Sequence, residues 1–121
     1  DITLAGATGH RLDHTLANIF LLSRLADADI PARIFDGHNE IHLITGSGNP
    51  VLELEGRPQE FLSLIPISPE VRGVTLKGLE YPLRNHTIEF GSSLGISNRF
   101  KDKKARISLK SGSLIVTLSR D

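Results

Sequence analysis

The chain has no cysteine and no methionine, not even at position 1. The lack of cysteine rules out disulfides and thiolate metal ligands and fits a reducing compartment, so a cytoplasmic location is expected. The first residue is Asp1, and a strand is already under way at Ile2, so the chain is expected to be a piece of a longer one. Nor does either sign of charge dominate. Fourteen Lys and Arg balance fourteen Asp and Glu, so no global field draws the chain to nucleic acid or anionic lipid. The longest apolar stretch, Leu16–Leu22, is broken by Asn18 and falls far short of the roughly 18 residues of a membrane span. No basic-then-apolar leader is visible. Several catalytic signatures are missing as well. There is no Gly-Lys-Ser/Thr phosphate loop, no three-glycine dinucleotide fingerprint and no HExxH. No Ser–His–Asp or paired-carboxylate arrangement stands out.

What remains is 121 residues, enough for one ordinary domain or a small domain plus part of another. The first third is α/β in character. Ile2-Thr3-Leu4-Ala5 reads as a short buried strand. From Leu12 to about Ala26 the apolar residues Leu12, Leu16, Ile19, Phe20, Leu21, Leu22 and Leu25 predict a helix with a broad buried face. Asp13 is placed at its N-cap, and Pro31 ends helical character before Ile30. Beyond this the pattern is all-β. Strands are predicted at 32–36, 40–45, 51–55, 61–67, 74–77, 87–90, 105–110 and 114–118. Pro66 marks a strand end or edge, and Ser111-Gly112 reads as a tight hairpin turn between the last two strands. Seven or eight short strands at turn spacing predict a sandwich or barrel. The α/β character gives way to β between about residues 27 and 50.

Three stretches stand out chemically. Gly6-Ala7-Thr8-Gly9-His10-Arg11-Leu12-Asp13 follows a strand and opens a helix, a place where main-chain N–H groups approach phosphate closely. If the chain is extended there, Arg11 and Asp13 project to one side. Arg11 can meet phosphate while Asp13 holds a bridging metal; the plainer alternative is a βα turn capped by Asp13. Gly91-Ser92-Ser93-Leu94-Gly95-Ile96-Ser97-Asn98-Arg99-Phe100 offers a hydroxyl and an amide for a heterocycle and an aromatic wall, or simply a long β-loop. Arg99, Lys101, Lys103, Lys104, Arg106 and Lys110 form a basic strip interrupted by Asp102. It reads as a solvated strand face rather than a nucleic-acid surface, given the zero net charge and a single interleaved aromatic. His10, His14, His38, His42 and His86 are taken as structural or surface residues.

Together these segments resemble bacterial-type thiamine pyrophosphokinase. GATGHRLDHTLANI (6–19) is similar to that family's nucleotide and magnesium loop and helix. Tyr81-Pro82-Leu83 precedes GSSLGISNRF (91–100) in the family manner. Ala105–Ser108, Gly112–Val116 and Ser119-Arg120-Asp121 resemble its closing hairpin. The resemblance implies a homodimeric, Mg²⁺-dependent enzyme in which the hydroxyl of thiamine attacks the β-phosphorus of ATP, giving thiamine diphosphate and AMP. It implies part of an α/β nucleotide domain at 1–36 and an all-β, thiamine-binding sandwich at 37–121. By position, Asp13 would serve as a Mg²⁺/ATP carboxylate, Arg11 as a phosphate contact, and Gly6, Thr8 and Gly9 as the phosphate-side loop. Ser97 and Asn98 would bind the thiamine pyrimidine, with Phe100 as an apolar wall. His10 departs from the family's usual glycine. Further acidic motifs are expected upstream of Asp1, so these residues by themselves are not expected to catalyse. No membrane or nucleic-acid partner is expected. The competing reading is a non-catalytic ligand-binding or regulatory β-sandwich.

Overall fold

The computed structural model of the chain describes residues 2–5, 12–27, 32–35, 39–57 and 60–119. The order is β1 (Ile2–Ala5), α1 (Leu12–Asp27), β2 (Ala32–Phe35), β3 (Asn39–Thr45), β4 (Val51–Glu55), β5 (Phe61–Pro66), β6 (Glu70–Lys77), β7 (Leu83–Glu89), β8 (Asn98–Arg99), β9 (Lys104–Ser108) and β10 (Ser113–Ser119). Two sheets form, in the orders β1-β2-β3-β10-β5-β8 and β4-β9-β6-β7. Only the β1–β2 pair is parallel among the described strands. A parallel pair needs a crossover, and α1 is that crossover.

The first sheet is buried on both faces at its centre, and this follows from the sequence of β3 and β10. Alternate residues of a strand face opposite ways. Ile41, Leu43 and Ile115 join Leu22 of α1 and Ile34 in one cluster, with Ile19 and Ala26 packed against it. Ile44, Leu114, Val116 and Leu118 face the second sheet and meet Val71, Val74, Leu76, Ile88 and Ile107 there. A strand covered on both sides reads as a nearly continuous apolar run, as Ile41–Ile44 and Leu114–Val116 do.

The helix buries a narrower face than its periodicity predicts. Ile19, Leu22 and Ala26, at i, i+3 and i+7, make the contact. Leu16, Phe20 and Leu21 are exposed. Asp13 lies inside the first turn rather than at the cap, with Arg24 in the last turn, so both charges complement the helix dipole. Asp13 lies in helix, so the alternation of an extended chain does not apply to it, and Arg11 lies outside the described residues.

The predicted hairpin at Ser111-Gly112 is not one. β9 pairs with β4 and β6, whereas β10 pairs with β3 and β5. The two strands belong to different layers, and Ser111-Gly112 carries the chain across the sandwich. Gly112 makes the crossing at φ 97, where a Cβ would stand 2.6 Å from the Glu70 carbonyl oxygen. Pro66 ends β5, where a missing N–H costs no ladder bond. The sheet also continues from β2 into β3 across the 36/37 boundary.

Candidate functional site

The segment 91–100 is held by its own short bonds and by the edge of β5. Ser92 N–H donates to the Glu89 carbonyl at 3.0 Å, and Ile96 N–H to the Ser93 carbonyl at 3.1 Å. The Gly95 carbonyl accepts from Leu64 N–H at 2.9 Å. Ser97 then turns the backbone at φ 60, a left-handed conformation uncommon outside glycine. Its N–H donates to Ser63 Oγ at 2.9 Å. The chain thereby enters β8, which pairs Asn98 with Leu62 and Arg99 with Phe61. The Arg99 guanidinium sits 4.7 Å from the centroid of the Phe61 ring, a cation–π contact that fixes a long side chain.

The structure brings Ser97, Asn98 and Phe100 onto one segment but gives them different surroundings. Ser97 is exposed beside the exposed apolar residues Leu94 and Ile96. Asn98 is buried, and its amide is engaged within the chain. Nδ2 donates to the Tyr81 carbonyl at 2.8 Å. Oδ1 accepts from Tyr81 N–H at 3.0 Å and from Arg99 N–H at 2.9 Å. These bonds leave one Nδ2 hydrogen for any other partner. Asn98 is therefore first a clamp, holding the main chain of Tyr81, a residue that is 67% exposed. Phe100 was expected to offer an apolar wall. It is instead 3% exposed and part of the inter-sheet core, where a Cβ on Gly56 would strike its ring. The ring anchors the end of the segment rather than presenting a face. Tyr81, Ser63 and Phe61 are the positions that composition and spacing did not single out as loop partners; Tyr81-Pro82-Leu83 was the one visible signal.

At the other candidate site, Asp13 is exposed in the first turn of α1. Gly6, Thr8, Gly9, His10 and Arg11 lie outside the described residues. A carboxylate is the hard oxygen donor that Mg²⁺ takes, and Mg²⁺ is commonly held by one or two carboxylates with phosphate oxygens and water completing the shell. Among the described residues no group of three or more His, Asp or Glu is placed to hold a metal. Asp13 has the oxygen donor chemistry such a site uses.

Of the histidines, His42 is buried on β3, with Nε2 at 3.3 Å from Glu40 Oε1. Burial pushes its pKa below the ordinary 6.5, helped by the Arg33 charge and opposed by the charge and hydrogen bond of Glu40. His86 is exposed on β7. Among the described residues no helix is long and apolar enough to cross a membrane.

With this geometry in hand, the likeness to known proteins is specific. Residues 51–114 match the family described as thiamin pyrophosphokinase, vitamin B1 binding domain. The chain is 35% identical over 120 residues to thiamine pyrophosphokinase of Bacillus subtilis (strain 168), covering 99% of this chain and 55% of that protein. The crystal structure of thiamine pyrophosphokinase from Bacillus subtilis superposes with a TM-score of 0.89 at 35% identity, covering 100% of this chain and 56% of that one. That of thiamin pyrophosphokinase from Geobacillus thermodenitrificans gives 0.84 at 36% identity, covering 98% and 54%. The chain spans about half the length of these relatives.

Proposed function

The chain belongs to the thiamin pyrophosphokinase family, and from that premise we propose that it serves a thiamine diphosphokinase, with its sandwich binding thiamine. In that reaction the pyrophosphoryl group of ATP passes to the thiamine hydroxyl, leaving AMP. The observation that carries the reading is the match of residues 51–114 to the vitamin B1 binding domain, within a fold that follows thiamine pyrophosphokinases along its whole length.

The segment 91–100 orients the acceptor. Ser97 offers its hydroxyl to the pyrimidine, and the remaining Nδ2 hydrogen of Asn98 offers one donor. Exposed Leu94, Ile96 and Tyr81 supply apolar surface for the rings. Phe100 contributes by anchoring this frame. The donor side is assigned to the strand–loop–helix at the N-terminus. Gly6, Thr8 and Gly9 allow close approach to phosphate, Arg11 pairs with a phosphate oxygen, and Asp13 is a Mg²⁺ ligand. Mg²⁺, when bound with ATP, neutralises charge on the phosphate oxygens. Transfer of this kind is mostly positioning and charge compensation, so holding the hydroxyl in line with the β-phosphorus is the main work of these residues.

We assign residues 1–36 to the nucleotide side and 37–121 to the thiamine side, in a cytoplasmic homodimer with thiamine near the interface. Light scattering of the full-length protein checks the dimer. The reaction is tested by thiamine-dependent AMP release from the full-length protein. Equal amounts of AMP and thiamine diphosphate are expected. Thiamine binding without AMP release would make the chain a binding module instead.

A further inference from the structure

The basic strip of the sequence does not form one surface. Arg99 covers Phe61. Lys104 and Arg106 face Glu55 and Glu53 across the β4–β9 ladder, at 4.0 and 3.8 Å. Lys103 lines a separate hollow with Glu55 and Glu60. Lys110 is turned out of the strip. Its N–H donates to the Arg72 carbonyl at 2.8 Å, and its stem lies across Gly73. Gly73 has φ +70, and a Cβ there would stand 2.5 Å from Lys110 Cγ and 2.6 Å from Cδ. Only glycine leaves room for that stem.

The stem leads into a groove of about 740 Å³ at the paired strands β6 and β7, lined by Thr75, Lys77, Pro82, Arg84, Asn85 and Lys110. The ladder is bulged at this point. Val74 pairs with His86 and Leu76 with Leu83, so Arg84 and Asn85 together stand opposite Thr75. Asn85 takes φ 50, and its N–H donates to Thr75 Oγ1 at 3.1 Å. A bulge of this kind re-aims side chains and is over-represented beside functional sites. Asn tolerates the left-handed conformation better than other side-chain-bearing residues.

The charge here is one-sided. Lys77, Arg84 and Lys110 line the groove, and no carboxylate does. None of the three forms a salt bridge with another described residue. Lys77 also stands opposite Arg106 in the β6–β9 ladder, and like charges so placed repel. Glu53 is on β4, on the far side of Arg106. An anion in the groove would be attracted by Lys77, Arg84 and Lys110, whereas the positively charged thiazolium ring of thiamine would be repelled by them.

We propose that the groove binds a phosphorylated small molecule. Lys77, Arg84 and Lys110 hold its diphosphate group, and Pro82 and Leu83 lie against its apolar part. The volume is that of a small-ligand site. A long polyanion such as RNA fits less well, because the neighbouring cations are met by glutamates.

Isothermal titration of the full-length protein with inorganic pyrophosphate tests this. The readout is the difference between the parent and an Arg84→Ala/Lys110→Ala variant, so pyrophosphate held at the phosphate loop cancels. The result does not depend on whether the proposed kinase reaction occurs. Affinity is expected to fall at least about tenfold in the variant and steeply with salt in the parent, while Arg84→Lys, which keeps the charge, stays within a few-fold of the parent. Both substituted side chains are exposed, and an unchanged melting temperature confirms the fold. Titrations with ADP and with thiamine diphosphate then identify the source of the diphosphate, as the one whose tighter binding is lost in the variant. Equal pyrophosphate affinity in parent and variant would overturn the proposal. So would binding of a single-stranded RNA oligonucleotide that depends on Arg84 and Lys110 while pyrophosphate binding does not.

Discussion

The sandwich and the N-terminal βα unit share one sheet but are held in different ways. Between the two sheets fifteen buried residues, contributed by both layers, close a continuous core. Among the described residues the helix side has five, and α1 leaves Leu16, Phe20 and Leu21 in solvent. Among the described residues β3 pairs with β10 along its whole length, Asn39–Thr45, and with β2 at Glu40, Ile41 and His42. Burial of apolar area dominates folding stability, so among the described residues the inter-sheet core carries most of it, and the βα unit packs on β3 and β10 of the shared sheet. The proposed division of labour follows the same line. The acceptor segment 91–100 is pinned to the core by Phe100 and Asn98, whereas Asp13 sits in the first turn of a half-covered helix.

The largest effect should come from the inter-sheet core. Ile107 is fully buried, and Ile107→Ala should cost about 4 kcal/mol, toward the upper end for such truncations, because both layers restrict relaxation. Leu22→Ala on the helix side should cost about 2 kcal/mol, since a partly exposed helix can settle into the gap. Urea unfolding of the two variants measures both; equal costs would erase the distinction between the regions. Asn98→Ala should cost about 2 kcal/mol, because it strips partners from Tyr81 N–H, the Tyr81 carbonyl and Arg99 N–H. It should also raise the KM for thiamine by freeing Tyr81, and Asn98→Asp, which keeps the acceptor but loses the donor, should fall between the two.

The smallest effect concerns pH. The His42 pKa is lowered in the folded state, so between the folded and unfolded values the unfolded chain binds more protons. Stability is therefore complete above the ordinary value of 6.5 and is lost as pH falls from there toward the folded value. Melting temperatures of the parent should drop across that window, and those of His42→Gln should drop less. An identical slope would mean that other groups carry the acid sensitivity.

Much of the architecture could be read from the sequence, because alternation and helical spacing report burial directly. The helix, the β3–β10 centre and the strand end at Pro66 all follow from it. Alternation does not say which layer a strand joins. β9 and β10 both turn apolar residues inward from opposite sheets, so Ser111-Gly112 looked like a hairpin while crossing the core. The two-residue β8 is too short to show a period. Asn98 and Phe100 were visible as chemistry, but their partners Tyr81 and Gly56 are distant in sequence, and that separation hid the clamp and the anchor. The basic strip is solvated, as its spacing implies, but its members do not share one surface. Position along the chain grouped Lys110 with Arg106, whereas the fold places it with Lys77 and Arg84.

Steady-state kinetics on the full-length protein separate the proposed phosphate role of the βα unit from the proposed thiamine role of the sandwich. Asp13→Asn and Ser97→Ala are compared for kcat and for the KM of thiamine. Asp13→Asn should lower kcat by at least about tenfold with little change in that KM, and Ser97→Ala should raise the KM several-fold with kcat largely kept. An Asp13→Asn protein that melts earlier but turns over at the parent rate would remove Asp13 from the phosphate site and leave it a helix-stabilising charge.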